Sequence, residues 1–445
     1  MPSHRYPNGH VFYRTLSRAL PLVTRGEGAW LVDEDGRRYL DAAGGAFVAN
    51  LGHGVREVAD ALSAQARTLA YVSGLRFTHE PVERFAEALA ALAPGDLDYV
   101  YPLGSGSEAI EAALKLARQY WVESGYAGKH KVLALTPGYH GNTLLALSAS
   151  AREHYRALYR DWLVEVPRVP APYAYRCDCG GRAPLCDACS GAALEQAIEL
   201  EGPETVAAFI LEPVGGSSTG ASVPAPGYLR RVREICDRHQ VLLVADEVLC
   251  GAGRTGRWSA VDHSGVVPDL IVYGKGIAGG YAPLSAVVAP RRLADVLAAG
   301  SGGLVHAQTY SHHAVACAAG LAALTHLARH ELVERVASMS ACLFDALAPV
   351  RGHPLVGDVR GIGLLAGVEL VAGRDTRAPV PRAAKLAEHA TQAALDAGLV
   401  VWPNTGHLPG GDGDILMLAP PFTITEAECA EIGSRLRTAL DALTT

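Results

Sequence analysis

Charged side chains are scarce in this chain. Asp, Glu, Lys and Arg make up 19% of its 445 residues against 49% for the hydrophobic set, which excludes a disordered polymer and allows a large buried core. Basic residues are the minority, 39 Lys and Arg against 46 Asp and Glu, and no basic stripe gathers them. With a formal charge of −7, this argues against a nucleic-acid binder. No uninterrupted apolar run approaches the roughly 18 residues that a membrane helix needs. The opening MPSHRYPNGHVFYRTLSRALPLV is polar and broken by prolines, without the apolar stretch of a secretory signal. Nine cysteines, an odd number in so long a chain, argue against a disulfide framework and point to a reducing cytoplasm. The nucleotide pattern G-x-x-x-x-G-K followed by Ser or Thr is missing, and so is any internal repeat.

What is present is an alternation. The length suggests about two domains. Gly26 to Gly45 reads as a hairpin turning at Glu34-Asp35-Gly36, and helical patterns follow from about Glu57. Continuous β-branched runs then alternate with helices. The strands are KVLAL (Lys131 to Leu135), VAAFILEPV (Val206 to Val214), VLLVADEV (Val241 to Val248) and LIVYG (Leu270 to Gly274), with a helix over Pro226 to Gln240. That pattern predicts a mainly parallel sheet covered on both faces. RGIGLLAGVEL (Arg360 to Leu370) and DILMLAPP (Asp414 to Pro421) read as sheet pieces of the last third. The expected architecture is α/β: a large domain over residues 61–330, and a smaller α+β domain from residues 1–60 and 331–445.

Ligands of open parallel sheets sit outside the carboxyl ends of the strands, so polar residues at those ends are the ones to weigh. In PDLIVYGKGIAGG, Lys275 follows a buried strand and is flanked by two glycines. Asp246 and Glu247 close VLLVADEV; Asp246 could hold a protonated ring nitrogen or cap the turn GAGRTG, and Glu212 after VAAFIL has the same two readings. In LGSGSEAIEAALKLAR, small residues lead into a helix with Ser107 as N-cap, which makes either a phosphate cradle or a plain capped helix. Tyr139 and His140 of PGYHGNT could stack on a flat ring or serve only the turn. Together these residues offer what pyridoxal-phosphate chemistry requires: an amine of depressed pKa, an acid for the pyridinium, a phosphate cup and an aromatic cover.

The chain resembles the class III (omega) aminotransferases, pyridoxal-phosphate enzymes of fold type I, from GAWLVDEDGRRYLD to LAPPFTITEAE. The most specific block is LLVADEVLCGAGRTGRW with PDLIVYGKGIAGGYAPLSAVV. The resemblance implies that Lys275 forms the Schiff base with the cofactor and carries the proton, and that Asp246 partners the pyridinium. Val248 and Tyr139, with His140 beside it, would cover the two faces of the ring. Gly106 and Ser107 would cup the phosphate, and Glu212 would lie near the substrate end. Thr309, in HAQTYSHH, matches a threonine that reaches the phosphate of the neighbouring subunit, implying a homodimer with shared active sites. Phe47 matches a pocket aromatic, with a buried core residue as the other reading. The implied reaction is ping-pong transfer of an amino group from a primary amine or omega-amino compound to a keto acid such as pyruvate.

Two departures stand out. Ala252 replaces the aromatic of the usual GFGRTG, and Met417 stands where relatives acting on amino acids often carry an arginine before LAPP. The preceding loop, VVWPNTGHLPGGDGD, contains no arginine either. A bidentate clamp is hard to replace, so amines are favoured over α-amino acids as donors.

Cys177, Cys179, Cys186 and Cys189 follow the spacing C-x-C-x6-C-x2-C, which suits a structural zinc or ordinary loop thiols; no metal is assigned to the reaction itself. Epimerases, lyases and decarboxylases of the same fold share the lysine and acid and stay open as alternatives. A dinucleotide oxidoreductase is poorly matched, because the GSGSEA glycines are incomplete. A silent binding protein would not need both Lys275 and Asp246.

Overall fold

The structure, a computed structural model, describes residues 7, 9–16, 18 and 20–444. Near the N-terminus, β1 (Val23–Glu27), β2 (Trp30–Asp33) and β3 (Arg38–Asp41) form an antiparallel meander. The β2–β3 turn falls at Glu34-Asp35-Gly36, closed by Asp33 Oδ1, which accepts from the N–H groups of Asp35 and Arg37 at 3.1 and 2.9 Å.

The central sheet contains β4 (Leu97–Leu103), β5 (Lys131–Thr136), β6 (Arg168–Pro170), β7 (Val206–Leu211), β8 (Leu242–Asp246), β9 (Leu270–Tyr273) and β10 (Ser285–Pro290), in the order β4-β10-β9-β8-β7-β5-β6. The pairs from β9 through to β6 are parallel, and β10 runs against both of its neighbours. Burial on two sides explains the unbroken apolar runs. Along β7, Ala208 and Ile210 meet Ile110, Ala113 and Leu114 of the helix Gly106–Glu123, whereas Phe209 and Leu211 meet Leu194, Ile198 and Val232 on the other face.

The final third adds β11 (Val356–Ile362), β12 (Leu365–Gly373), β13 (Ala378–Pro379), β14 (Leu399–Val400), β15 (Trp402–Thr405) and β16 (Asp414–Leu418). The run Arg360 to Leu370 is therefore not one piece but two antiparallel strands, reversing at Gly363 with φ +63°. β14 pairs in parallel with β3, and one core joins Leu40, Leu51 and Val58 to Leu343, Val368, Phe422 and Leu436, so both ends of the chain share a hydrophobic interior. Among the described residues, no helix is long and apolar enough to cross a membrane.

Candidate active site

Five strands bring their ends to one edge of the central sheet. β4, β5, β7, β8 and β9 stop at Leu103, Thr136, Leu211, Asp246 and Tyr273, and the polar residues singled out above follow each stop within a few positions. Lys275 sits two residues beyond β9 in left-handed backbone, φ +44°, and is partly buried. Burial pushes its amine below the usual lysine range, opposed by the charges of Asp246 and Glu212. The glycine on one side of it is forced by close approach: a Cβ on Gly276 would stand 2.7 Å from Asn50 Nδ2.

Asp246 and Glu247 separate in role. Glu247 turns inward, accepting from the backbone N–H groups of Ala260 and Val261 at 2.7 and 2.9 Å, and burial lifts its carboxyl to about 8. Asp246 is 5% exposed; its Oδ1 accepts from Val248 N at 3.1 Å and its Oδ2 lies 2.7 Å from His140 Nδ1. Among the described residues, His140 is the side chain that contacts this carboxylate, and no Lys or Arg forms an ion pair with it. His140 is buried with its Nε2 unpartnered, while its backbone N–H donates to Ser150 Oγ at 2.8 Å. A buried carboxylate lacking a bound cation matches a site for a protonated ring nitrogen.

The helix after β4 is capped by Ser105, whose Oγ accepts from Glu108 N at 3.3 Å, and not by Ser107 as the sequence suggests. Ser107 lies in the first turn, and its Oγ accepts from Asn142 N at 3.0 Å, joining the glycine-serine turn to the Tyr139-His140 turn. The first N–H groups of a helix have no intrahelical acceptor, so this end suits a phosphate. A Cβ on Gly106 would reach 2.8 Å from Val248 Cγ1, so the cradle accepts no side chain at that position. These features fit pyridoxal phosphate in donor set and in shape.

Glu212 is held by three donors: Tyr139 N at 3.2 Å, Gly216 N at 2.8 Å and Ser218 Oγ at 2.6 Å. Burial raises its carboxyl above the usual range. Phe47 is a core residue that also lies near Lys275. It is 4% exposed in a core with Leu249, Cys250 and Met417, and Lys275 Nζ lies 5.7 Å from its ring centre. Trp402 lies against it at 5.5 Å between ring centres. Thr309 is not brought to this cluster. It is exposed in a surface hollow with Tyr71, Lys115 and His306.

Arg152 is a residue that sequence reasoning misses. It is 3% exposed, stacks 4.8 Å from the Tyr155 ring centre, and donates to Thr405 O at 3.2 Å, with Ser217 Oγ at 3.5 Å. The Tyr155 ring is 6.2 Å from that of Tyr139. Arg152 pairs with no carboxylate among the described residues, and its Nε is buried without a partner. Nothing in the run SASAREHYRAL signals this, because a missing counter-ion is a property of the fold alone.

The chain belongs to the class III aminotransferases: the sequence pattern described as Aminotransferase class-III matches residues 13–440. It is 37% identical over 420 residues to the uncharacterized aminotransferase YodT of Bacillus subtilis (strain 168), covering 94% of each chain. A thermostable (S)-enantioselective omega-transaminase from Thermomicrobium roseum superposes with a TM-score of 0.89 at 35% identity, over 98% of this chain and 97% of the other. A Bacillus anthracis aminotransferase does so with a TM-score of 0.91 at 32% identity, over 99% and 97%. The fold is accordingly type I of the pyridoxal-phosphate-dependent transferases, and the chain is an enzyme of the class III aminotransferase type.

Proposed function

We propose that this enzyme moves the amino group of a primary amine or omega-amino compound to a keto acid, with pyruvate as acceptor and pyridoxal 5′-phosphate held between Lys275, Asp246 and the Gly106–Ser107 turn. The observation that carries this reading is the buried Asp246–His140 pair, 2.7 Å apart, at the end of the strand beside the one that leads to the partly buried Lys275. When bound, the cofactor supplies an aldehyde and an electron-withdrawing ring that stores the amino group between half-reactions. Lys275 Nζ takes the proton from the amine-bearing carbon of the donor; burial favours its neutral, basic form. Asp246 would hold a proton on the ring nitrogen, and His140 would orient the carboxylate. With the cofactor bound, Tyr139 and Val248 would flank its ring, and Glu212 would lie toward the substrate end.

The test is a panel of donors: an arylalkyl amine, an omega-amino acid and alanine. The expected result is bleaching of the near-visible absorption by at least one donor, restored by pyruvate with formation of alanine. A protein whose absorption no donor bleaches would be an epimerase, lyase or decarboxylase instead.

The donor side is apolar. Phe47, Trp402 and Met417 lie together in one hydrophobic cluster. The acceptor carboxylate is assigned to Arg152, a buried cation without a carboxylate partner among the described residues, close enough for the charge of Glu212 to act on it. Arg152→Met is expected to raise KM for pyruvate about 10- to 100-fold, the loss of a charge-assisted contact to a carboxylate. An aldehyde acceptor without a carboxylate should be turned over as in the wild type, which separates recognition from damage to the Thr405 contact. An unchanged KM for pyruvate would remove Arg152 from the site.

The same reading includes the division into residues 1–60, 61–330 and 331–445, supported by the core shared between the chain ends. It includes a homodimer with shared sites, supported by the exposed position of Thr309, apart from the cluster of its own subunit. A cytoplasmic location is supported by nine cysteines, none of them joined in a disulfide.

A further inference from the structure

Aminotransfer makes no use of the segment between β6 and the helix Ala192–Glu201, which contains only one 3-10 turn and one single-turn helix. Excursions of this length without regular structure are ordered by something other than a core of their own. Here four cysteines meet. Every pair of sulfurs among Cys177, Cys179, Cys186 and Cys189 lies within 4.8 Å, with Cys177–Cys179 at 3.3 Å, Cys177–Cys186 at 2.8 Å and Cys179–Cys186 at 3.6 Å. A tetrahedral zinc–thiolate centre, with bonds of about 2.3 Å, has sulfur–sulfur edges of about 3.8 Å, within about 1 Å of each of these three separations and under the 4.8 Å limit of the cluster. The backbone N–H of Gly181 donates to Cys179 Sγ at 3.4 Å, the kind of support that a metal-bound thiolate receives.

We propose that Cys177, Cys179, Cys186 and Cys189 bind one zinc ion as a closed structural site, separate from the reaction centre. Four thiolates fill the coordination sphere and leave no position for water or substrate, so the ion clips the loop and does no chemistry. Their protons pass to solvent as the metal binds. The clip has a mechanical consequence. Arg176, next to Cys177, donates through Nε to the buried Glu369 of β12 at 2.6 Å, and Tyr173 donates to the same carboxylate. Ser222, from the loop that follows Glu212, donates to Pro172 O at 3.0 Å. The metal thus fastens a segment that lies behind the loop holding Glu212.

Metal analysis of the full-length protein, purified without a metal-affinity step, should find about one zinc per chain, and X-ray absorption at the zinc edge should find four sulfur ligands at about 2.3 Å. The double variant Cys177→Ser/Cys186→Ser should fall to background, whereas Cys342→Ser, outside the loop, should keep its zinc. If the double variant fails to fold, a mercurial reagent added to the wild type should release the same single zinc to a chromogenic chelator. Wild-type protein holding no zinc, a Cys177–Cys186 disulfide in unreduced peptides, or oxygen and nitrogen ligands at the edge would each overturn the proposal.

Discussion

Lys275→Ala is expected to lower turnover of the best amine donor by at least about 10⁴-fold, since one substitution removes both the covalent partner of the cofactor and the carrier of the transferred proton. The setting of Lys275 explains why no neighbour can substitute. Its amine is partly buried, pushed toward the neutral form by burial and restrained by Asp246 and Glu212. The φ of +44° holds its backbone in the left-handed region, at about 1–2 kcal/mol for a residue with a side chain. Alanine keeps that cost unchanged, so the variant should fold and melt near the wild-type temperature. It should still bind pyridoxal phosphate through the Gly106–Ser107 turn, but without the near-visible absorption of a lysine-bound cofactor. Lys275→Arg keeps a cation but neither adds to an aldehyde nor accepts a proton, so it should lose turnover as the alanine variant does, which shows that charge alone is not enough. Wild-type turnover in the alanine variant would remove Lys275 from the reaction and leave the strand-end geometry without a chemical reason.

How much of this can be read in advance varies by residue, and the physical reasons differ. Asp246, Glu212, Lys275 and Tyr139 are legible because a parallel strand buried on both faces has an unbroken apolar run, so the first polar residue after it is conspicuous. The same unbroken runs conceal the β11–β12 reversal, where Ile362 and Leu364 on either side of Gly363 carry no turn signal beyond the glycine. The helix cap falls two residues earlier than expected. Ser105 and Ser107 are equivalent in sequence, and only Asn142 N, arriving from another turn, decides that Ser107 faces the site. For Phe47 the sequence leaves core and pocket open, and the fold makes it a core residue that lies 5.7 Å from Lys275 Nζ. Arg152 is out of reach: burial of an arginine and the absence of its counter-ion exist only after folding.

Asp246→Asn is the second large effect, expected to lower kcat/KM for the amine half-reaction by about 10²- to 10³-fold, the usual result of removing one preorganised charge from a water-poor site. The substitution is nearly isosteric, so packing against Val248 survives and the amide oxygen can still accept from Val248 N, 3.1 Å away in the wild type. The contact with His140 does not survive unchanged. Oδ2 accepts at 2.7 Å from the imidazole, so an amide NH2 in its place would drive the ring to the other tautomer and leave the proton on Nε2, which is buried without a partner. Asp246→Glu is the control that preserves the charge and displaces it by one methylene; it should retain more activity than the asparagine variant. Two measurements separate electrostatics from disturbance of the fold. In the asparagine variant, the absorption of bound cofactor should report a ring nitrogen that loses its proton at lower pH than in the wild type. In His140→Asn, which leaves the carboxylate in place, that shift should be smaller while the rate still falls, because His140 acts through the orientation of Asp246. Equal rates in wild type and Asp246→Asn would show that the ring needs no charged partner, and the buried carboxylate at the end of β8 would then require another explanation.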